Sequence, residues 1–199
     1  MRKIYFTLIL IMGLKFLYAQ DTTQLAGKMQ FVFAQLNRNA ISTGFLEERA
    51  FPLVSLTPFN GVLTDSNKVY LNALRATYFT QYSACMLSNN SMLPVDTINQ
   101  RINQYLPATT AVPVAVHFGE FNSFKSYAAT SNLVSIGADD VIHDVPNRTE
   151  NPYLLRQLFT ACPIKSEFEN SNFSLVFKSN LFFTNTSLSV SALYIDFDD

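Results

Sequence analysis

Tryptophan is absent from the 199-residue chain, cysteine and histidine occur twice each, glycine occurs six times, and only 15% of the residues are charged. Two thiols are too few for a disulfide scaffold or for a zinc site assembled from Cys-x-x-Cys pairs. No Gly-x-Ser-x-Gly sequence occurs, so the strand-to-helix elbow that exposes a serine nucleophile is missing. Basic residues number 14 against 15 acidic ones, and the pI is about 6.1. A nucleic-acid binder needs a cationic stripe to neutralise phosphates, and this balance provides none. Low charge is not a sign of disorder here, because 18 Phe and nine Tyr give the chain ample apolar surface to bury.

The clearest pattern is at the front. Arg2 and Lys3 precede an apolar run from Ile4 to Leu14, and Phe16, Leu17, Tyr18 and Ala19 follow. A positive start, a short apolar core and a small residue at the end form a secretory signal peptide, with the cut expected between Ala19 and Gln20. Lys15 interrupts a run already shorter than the roughly 20 residues that span a bilayer, so contact with the membrane is transient. Removing residues 1–19 takes Arg2, Lys3 and Lys15 away and leaves 11 basic residues against 15 acidic ones, a mildly acidic soluble chain. The expected destination is the periplasm, the cell surface or the medium.

Residues 20–107 read as mainly helical and residues 108–199 as β-rich, the two parts forming one α+β domain. Leu25, Met29, Val32 and Leu36 recur at helical spacing and predict a helix over 22–37, capped by Asp21 or Thr22. Thr64 or Asp65 would cap a second helix with the stripe Leu71, Leu74, Tyr78, Tyr82 and Cys85. Pro94 and Asp96 open a third, carried by Ile98, Ile102 and Leu106 and stopped before Pro107. Beyond Pro107 the period changes. Val112, Val114 and Val116 alternate, Leu133–Ile136 and Val141–Ile142 form short β-branched runs, and Phe173, Leu175 and Phe177 predict a strand. The alternation continues through Leu188, Val190 and Ala192, slips near Leu193 as a bulge would, and runs to the chain end at Asp199, where a further strand is expected to follow.

Few residues offer chemistry. The densest polar cluster is Asp139, Asp140, His143 and Asp144, with His117 and Glu120 three residues apart elsewhere. Carboxylates beside an imidazole could hold a divalent metal or act as a general base. The spacing lacks a His-Glu-x-x-His pair, and an Asp-rich turn is ordinary surface chemistry. Asp196, Asp198 and Asp199 could offer oxygens to calcium, but the twelve-residue glycine-bearing loop is missing. No metal, cofactor or catalytic residue is therefore assigned. Cys85 and Cys162 could pair in an oxidising compartment and close a loop worth roughly 4 kcal/mol, or stay as two buried thiols. Asn89, Asn147, Asn172 and Asn185 each begin an Asn-x-Ser/Thr triplet. The aromatic groups Phe118, Phe121, Phe124 and Tyr127, and Phe182 with Phe183, could stack on a glycan or a peptide, or fill the core.

Scattered segments carry a resemblance. Met1-Arg2-Lys3-Ile4 with Ala19-Gln20, Thr43-Gly44-Phe45-Leu46, Phe59-Asn60-Gly61, Asp65-Ser66-Asn67, Asn151-Pro152-Tyr153 and Ile195-Asp196-Phe197-Asp198-Asp199 resemble the N-terminal region of large secreted proteins of Bacteroidota. In similar proteins a β-rich region continues past this point, and some carry a lipase-like α/β-hydrolase region further along. The resemblance implies export and continuation of the chain. No hydrolase residue matches, so it implies no activity for residues 1–199. Address, core and the lack of a convergent catalytic set together point to an exported non-catalytic module with an extracellular protein or glycan as ligand. The alternative is the accessory domain of a secreted hydrolase.

Overall fold

The computed structural model describes residues 27–49, 69–87, 92–107, 110–165, 172, 174–187 and 189–193. The expected signal peptide with Ala19 and Gln20, and the terminal Asp196, Asp198 and Asp199, lie outside these residues; so do Thr64 and Asp65, which do not cap the second helix as expected, because it begins at Leu71 after Tyr70 with no side-chain cap. Helical segments come first and strands afterwards, which makes the fold α+β. Residues 27–32 are helical (α1), and 3-10 turns at Arg38–Ile41 and Leu46–Glu48 follow. Helices α2 (Leu71–Ala84) and α3 (Val95–Asn103) precede strands β1 (Ala111–Phe124), β2 (Val134–Ile136), β3 (Ile142–Asp144), β4 (Tyr153–Pro163) and β5 (Ser174–Thr184).

Helix α2 buries Leu74, Thr77, Tyr78, Gln81 and Ala84, so the buried stripe is turned slightly from the expected one and includes a glutamine. Thr77, Thr80 and Ser83 return their hydroxyls to the carbonyls of Ala73, Ala76 and Phe79, each at 2.9 Å, which keeps three polar side chains satisfied on the helix itself. Helix α3 starts directly after Pro94, with Asp96 in its first turn and Arg101 in its last, the arrangement a helix dipole favours. Ile98 and Ile102 are buried as their spacing predicts. Leu106 falls beyond the helix end and is exposed.

Strand β1 is the middle of a three-stranded sheet of order β4-β1-β5. It runs antiparallel to β4, with Val114 opposite Pro163 and Phe124 opposite Tyr153, and parallel to β5. The parallel ladder breaks where Ala115 alone spans the interval that Lys178, Ser179, Asn180 and Leu181 fill on β5. Strands β2 and β3 form a separate hairpin. Along β1, Ala115, His117, Gly119 and Phe121 point to one face by strand alternation. On that face α2 and α3 supply Leu74, Tyr78, Ile98 and Ile102, which pack with Ala115, Cys162, Leu181 and Phe183 into the main core. A second, aromatic core closes the far end of β1. There Phe33, Phe45 and Phe124 pack in sequence as tilted rings at 4.9 and 4.7 Å between centroids, with Tyr153 stacked on Phe124.

Three expectations are corrected. The first helix stops at residue 32 rather than 37, because the backbone that follows is committed to the β2–β3 hairpin: Gln35 bridges His143, and the Asn37 amide donates to Asp144 Oδ2 at 2.5 Å. Strand β4 was not anticipated, since its doublets Leu154-Leu155 and Leu158-Phe159 break the period of two. Residues 189–193 carry no strand, so the alternation through Val190 and Ala192 does not become one.

Candidate functional site

On the face of β1 turned away from α2, Val114, Val116 and Asn122 are buried, while Phe118 and Glu120 are half-buried. Register places Ala161 and Phe182 on either side of Val116, and Phe159 and Thr184 on either side of Phe118. Directly opposed side chains in such a ladder lie about 4.5–5.5 Å apart at Cβ, so Phe159 and Phe118 form a contiguous apolar row. Phe177 and Phe182 extend the aromatic surface on β5, with ring centroids 6.5 Å apart. Leu155, two rungs from Gln157 and four residues before Phe159, lies on the same face by alternation. Leu155 is 54% and Phe159 55% exposed, and Leu154 on the opposite side of the strand is 44% exposed. Leu155 and Phe159 flank Gln157 on this face as large apolar side chains open to solvent, as Phe31, Phe79 and Ile136 are elsewhere on the described surface.

The sequence-named aromatics divide between the two roles weighed for them. Phe121 and Phe183 are buried, the former against Leu46 and Leu158, the latter within the main core. Phe124 belongs to the aromatic core, Tyr127 is exposed on a turn, and Phe118 and Phe182 lie half-buried on the outer face. Phe159 and Leu155 were missed with their strand. The doublets gave no period to find them by, since Leu154 and Leu155 are both exposed and only Leu158 of the second pair is buried.

The polar cluster separates. His143 Nε2 stands 3.7 Å from Asp139 Oδ1, both largely exposed, while Asp139 Oδ1 also accepts the Val141 amide at 3.2 Å. That backbone hydrogen bond, more than the histidine, holds the Asp139 carboxyl below its ordinary range. Asp140 occupies a left-handed turn position at φ 61°. Asp144 is used elsewhere: it pairs with Arg148, accepts the Tyr153 hydroxyl at 3.0 Å on each oxygen, and accepts the Asn37 amide. It ties β3, β4 and the N-terminal segment together, and Tyr153 is pushed above its usual range by burial and by that carboxylate. His117 lies in the other sheet, fully buried under α2. Among the described residues no group of three His, Cys, Asp or Glu side chains is arranged to hold a metal ion.

The cysteines do not pair. Cys162 is buried opposite Ala115, where burial pushes its thiol up to about 12. Cys85 ends α2 next to Ala84, whose backbone abuts Gly44, and Gly44 accepts the Asn122 amide at 2.8 Å. From the Ala115 row to the Asn122 row is roughly 23 Å at the rise of a strand, far beyond the Cα separation of a disulfide. Both thiols are free. Of the Asn-x-Ser/Thr triplets, Asn147 and Asn172 are exposed, Asn89 lies outside the described residues, and Asn185 is fully buried and engaged. Its Oδ1 accepts the Glu120 amide at 2.9 Å and its Nδ2 donates to the Glu120 carbonyl at 2.7 Å, so the side chain continues the β1–β5 ladder one rung past Thr184. No glycan can be attached at a nitrogen so enclosed.

Comparison with protein-family models, with curated proteins and with solved structures returns no match.

Proposed function

We propose that the chain is an exported, non-catalytic binding module that engages an extracellular protein through the outer face of its sheet. The observation that carries this reading is the exposed Phe159, opposite Phe118 in the ladder, with exposed Leu155 on the same face beyond the Gln157–Glu120 rung. Such a patch favours association because it is covered only when a partner covers it. Export rests on the pattern of residues 1–19, and among the described residues no helix is long and apolar enough to cross a membrane. In keeping with this reading, Asp144 is engaged by Arg148, Tyr153 and Asn37, apart from the Asp139–His143 pair.

The test compares the secreted wild-type chain with the Leu155→Ser/Phe159→Ser double variant for retention on the surface fraction of the cells that export it. The expected result is a bound fraction lowered at least tenfold with an unchanged denaturant midpoint. Equal retention of a folded double variant would remove the outer face from the account.

A further inference from the structure

The residue the sequence offered as an imidazole base turns out to be a structural joint. His117 is fully buried in the middle of β1, and its Nε2 stands 2.5 Å from Gln81 Oε1 of α2. The orientation of Gln81 is set independently, because its Nε2 donates to the Glu120 carbonyl at 2.9 Å. The glutamine oxygen must therefore be the acceptor, the hydrogen must sit on His117 Nε2, and Nδ1 must be bare. Nδ1 is buried and has no hydrogen-bond partner. We propose that His117 is an acid-sensitive clasp: protonation of the imidazole releases α2 from the sheet.

The surroundings give a charged imidazole nothing to lean on. Helix α2 presents the Tyr78 ring edge-on at 5.0 Å, and the Tyr78 hydroxyl is turned away to the Leu93 carbonyl at 2.8 Å. On β5 the register partner is Phe183, and on β4 it is Thr160, whose hydroxyl donates to the His117 carbonyl at 3.3 Å. From α3 the charge that reaches Tyr78 is Arg101, a cation, which disfavours a second positive charge nearby. Glu120 is three residues along β1 and on the other face by alternation. No carboxylate among the described residues bonds or pairs with the ring. A second proton would put an N–H donor and a charge into an apolar layer with no acceptor, and such a group must reach water to ionise. Helix α2 covers it, so α2 has to lift.

Burial accordingly drives His117 from the ordinary histidine range down to about 3 in the docked state. The docked form binds the proton less readily than the released form, so acid favours release. Between the ordinary histidine value of about 6.5 and about 3, each unit of pH shifts the docking equilibrium tenfold towards release, one proton being taken up per event.

Amide hydrogen exchange of the intact chain, corrected for intrinsic exchange rates and followed from pH 7 to pH 4, tests the clasp. The expected result is an opening constant of α2 amides that rises about tenfold per pH unit below 6 while β4 amides stay protected, and a flat profile in His117→Gln. If that variant does not fold, the ring nitrogens of His117 are followed by NMR in the wild-type chain. An imidazole that titrates near 6.5 with α2 still protected would overturn the proposal. So would an α2 opening that ignores pH, a His117→Gln variant with the wild-type slope, or equal loss of protection in α2 and β4.

Discussion

At the scale of single residues, the tightest joint is Gly119 against Asn185. A Cβ on residue 119 would stand 2.2 Å from Asn185 Oδ1 and 2.9 Å from Gln81 Nε2, two atoms already committed to the Glu120 backbone. Gly119→Ala should therefore displace the amide and destabilise the fold by about 1–3 kcal/mol, as overpacking does. Asn185→Ala should lose a similar amount by leaving the Glu120 amide without its acceptor. Because both changes break the same contact, the double variant should lose clearly less than the sum, and urea titration of the three proteins reads this directly. Strict additivity would mean that the side chain does not extend the ladder. The Asp-rich turn provides a contrast. Asp144→Ala removes the acceptor shared by Arg148, Tyr153 and Asn37 and should destabilise by about 1–3 kcal/mol, whereas Asp139→Ala, at an exposed pair, should leave the denaturant midpoint unchanged. Equal losses in denaturant titration would contradict the separation of the cluster.

At the scale of elements, β4 joins the fold to its proposed role. Its inward residues Leu158, Thr160 and Cys162 are buried, while Leu155 and Phe159 on the other face are not. Leu155→Ser and Phe159→Ser should leave thermal stability within about 0.5 kcal/mol, the range expected for surface changes, while Leu158→Ala should lose about 2–5 kcal/mol. A large loss in Phe159→Ser would show that the ring belongs to the core. The same strand marks the limit of what was legible beforehand. Helices α2 and α3 followed from Leu74, Tyr78, Ile98 and Ile102, whose spacing of about four survives into the structure, and β1 from the alternation at Val112, Val114 and Val116. Those elements obey the rule that apolar means inside. β4 breaks it by exposing both Leu154 and Leu155 and one member of Leu158-Phe159, and α1 ends early because Gln35 and Asn37 bond to a hairpin more than 100 residues away in sequence. Periodicity registers local burial, and neither an exposed patch nor a distant partner leaves a trace in it. The joint at His117 was legible only as a histidine in a strand, since Gln81 and Asn185, which define it, read as ordinary polar residues.

At the scale of the whole molecule, α2, α3 and the sheet form one core, and the N-terminal segment closes the other end of β1 with Phe33 and Phe45. Cys85 caps α2 and Cys162 lies on β4 opposite Ala115, which predicts that the chain, unfolded in denaturant without reductant, yields two reactive thiols in a colorimetric thiol assay. A count of zero would mean that Cys85 and Cys162 had paired and that the placement of α2 along β1 is wrong. The central claim is that the outer face of the sheet, rather than any polar cluster, is what the molecule uses. The most direct test installs a photoreactive phenylalanine analogue at position 159, or at the exposed Ala129 on the turn after β1, in the intact chain produced by its own cells. The account predicts a defined protein adduct from position 159 only, lost when Leu155→Ser is added. Adducts of equal yield from both positions, or none from position 159, would contradict it.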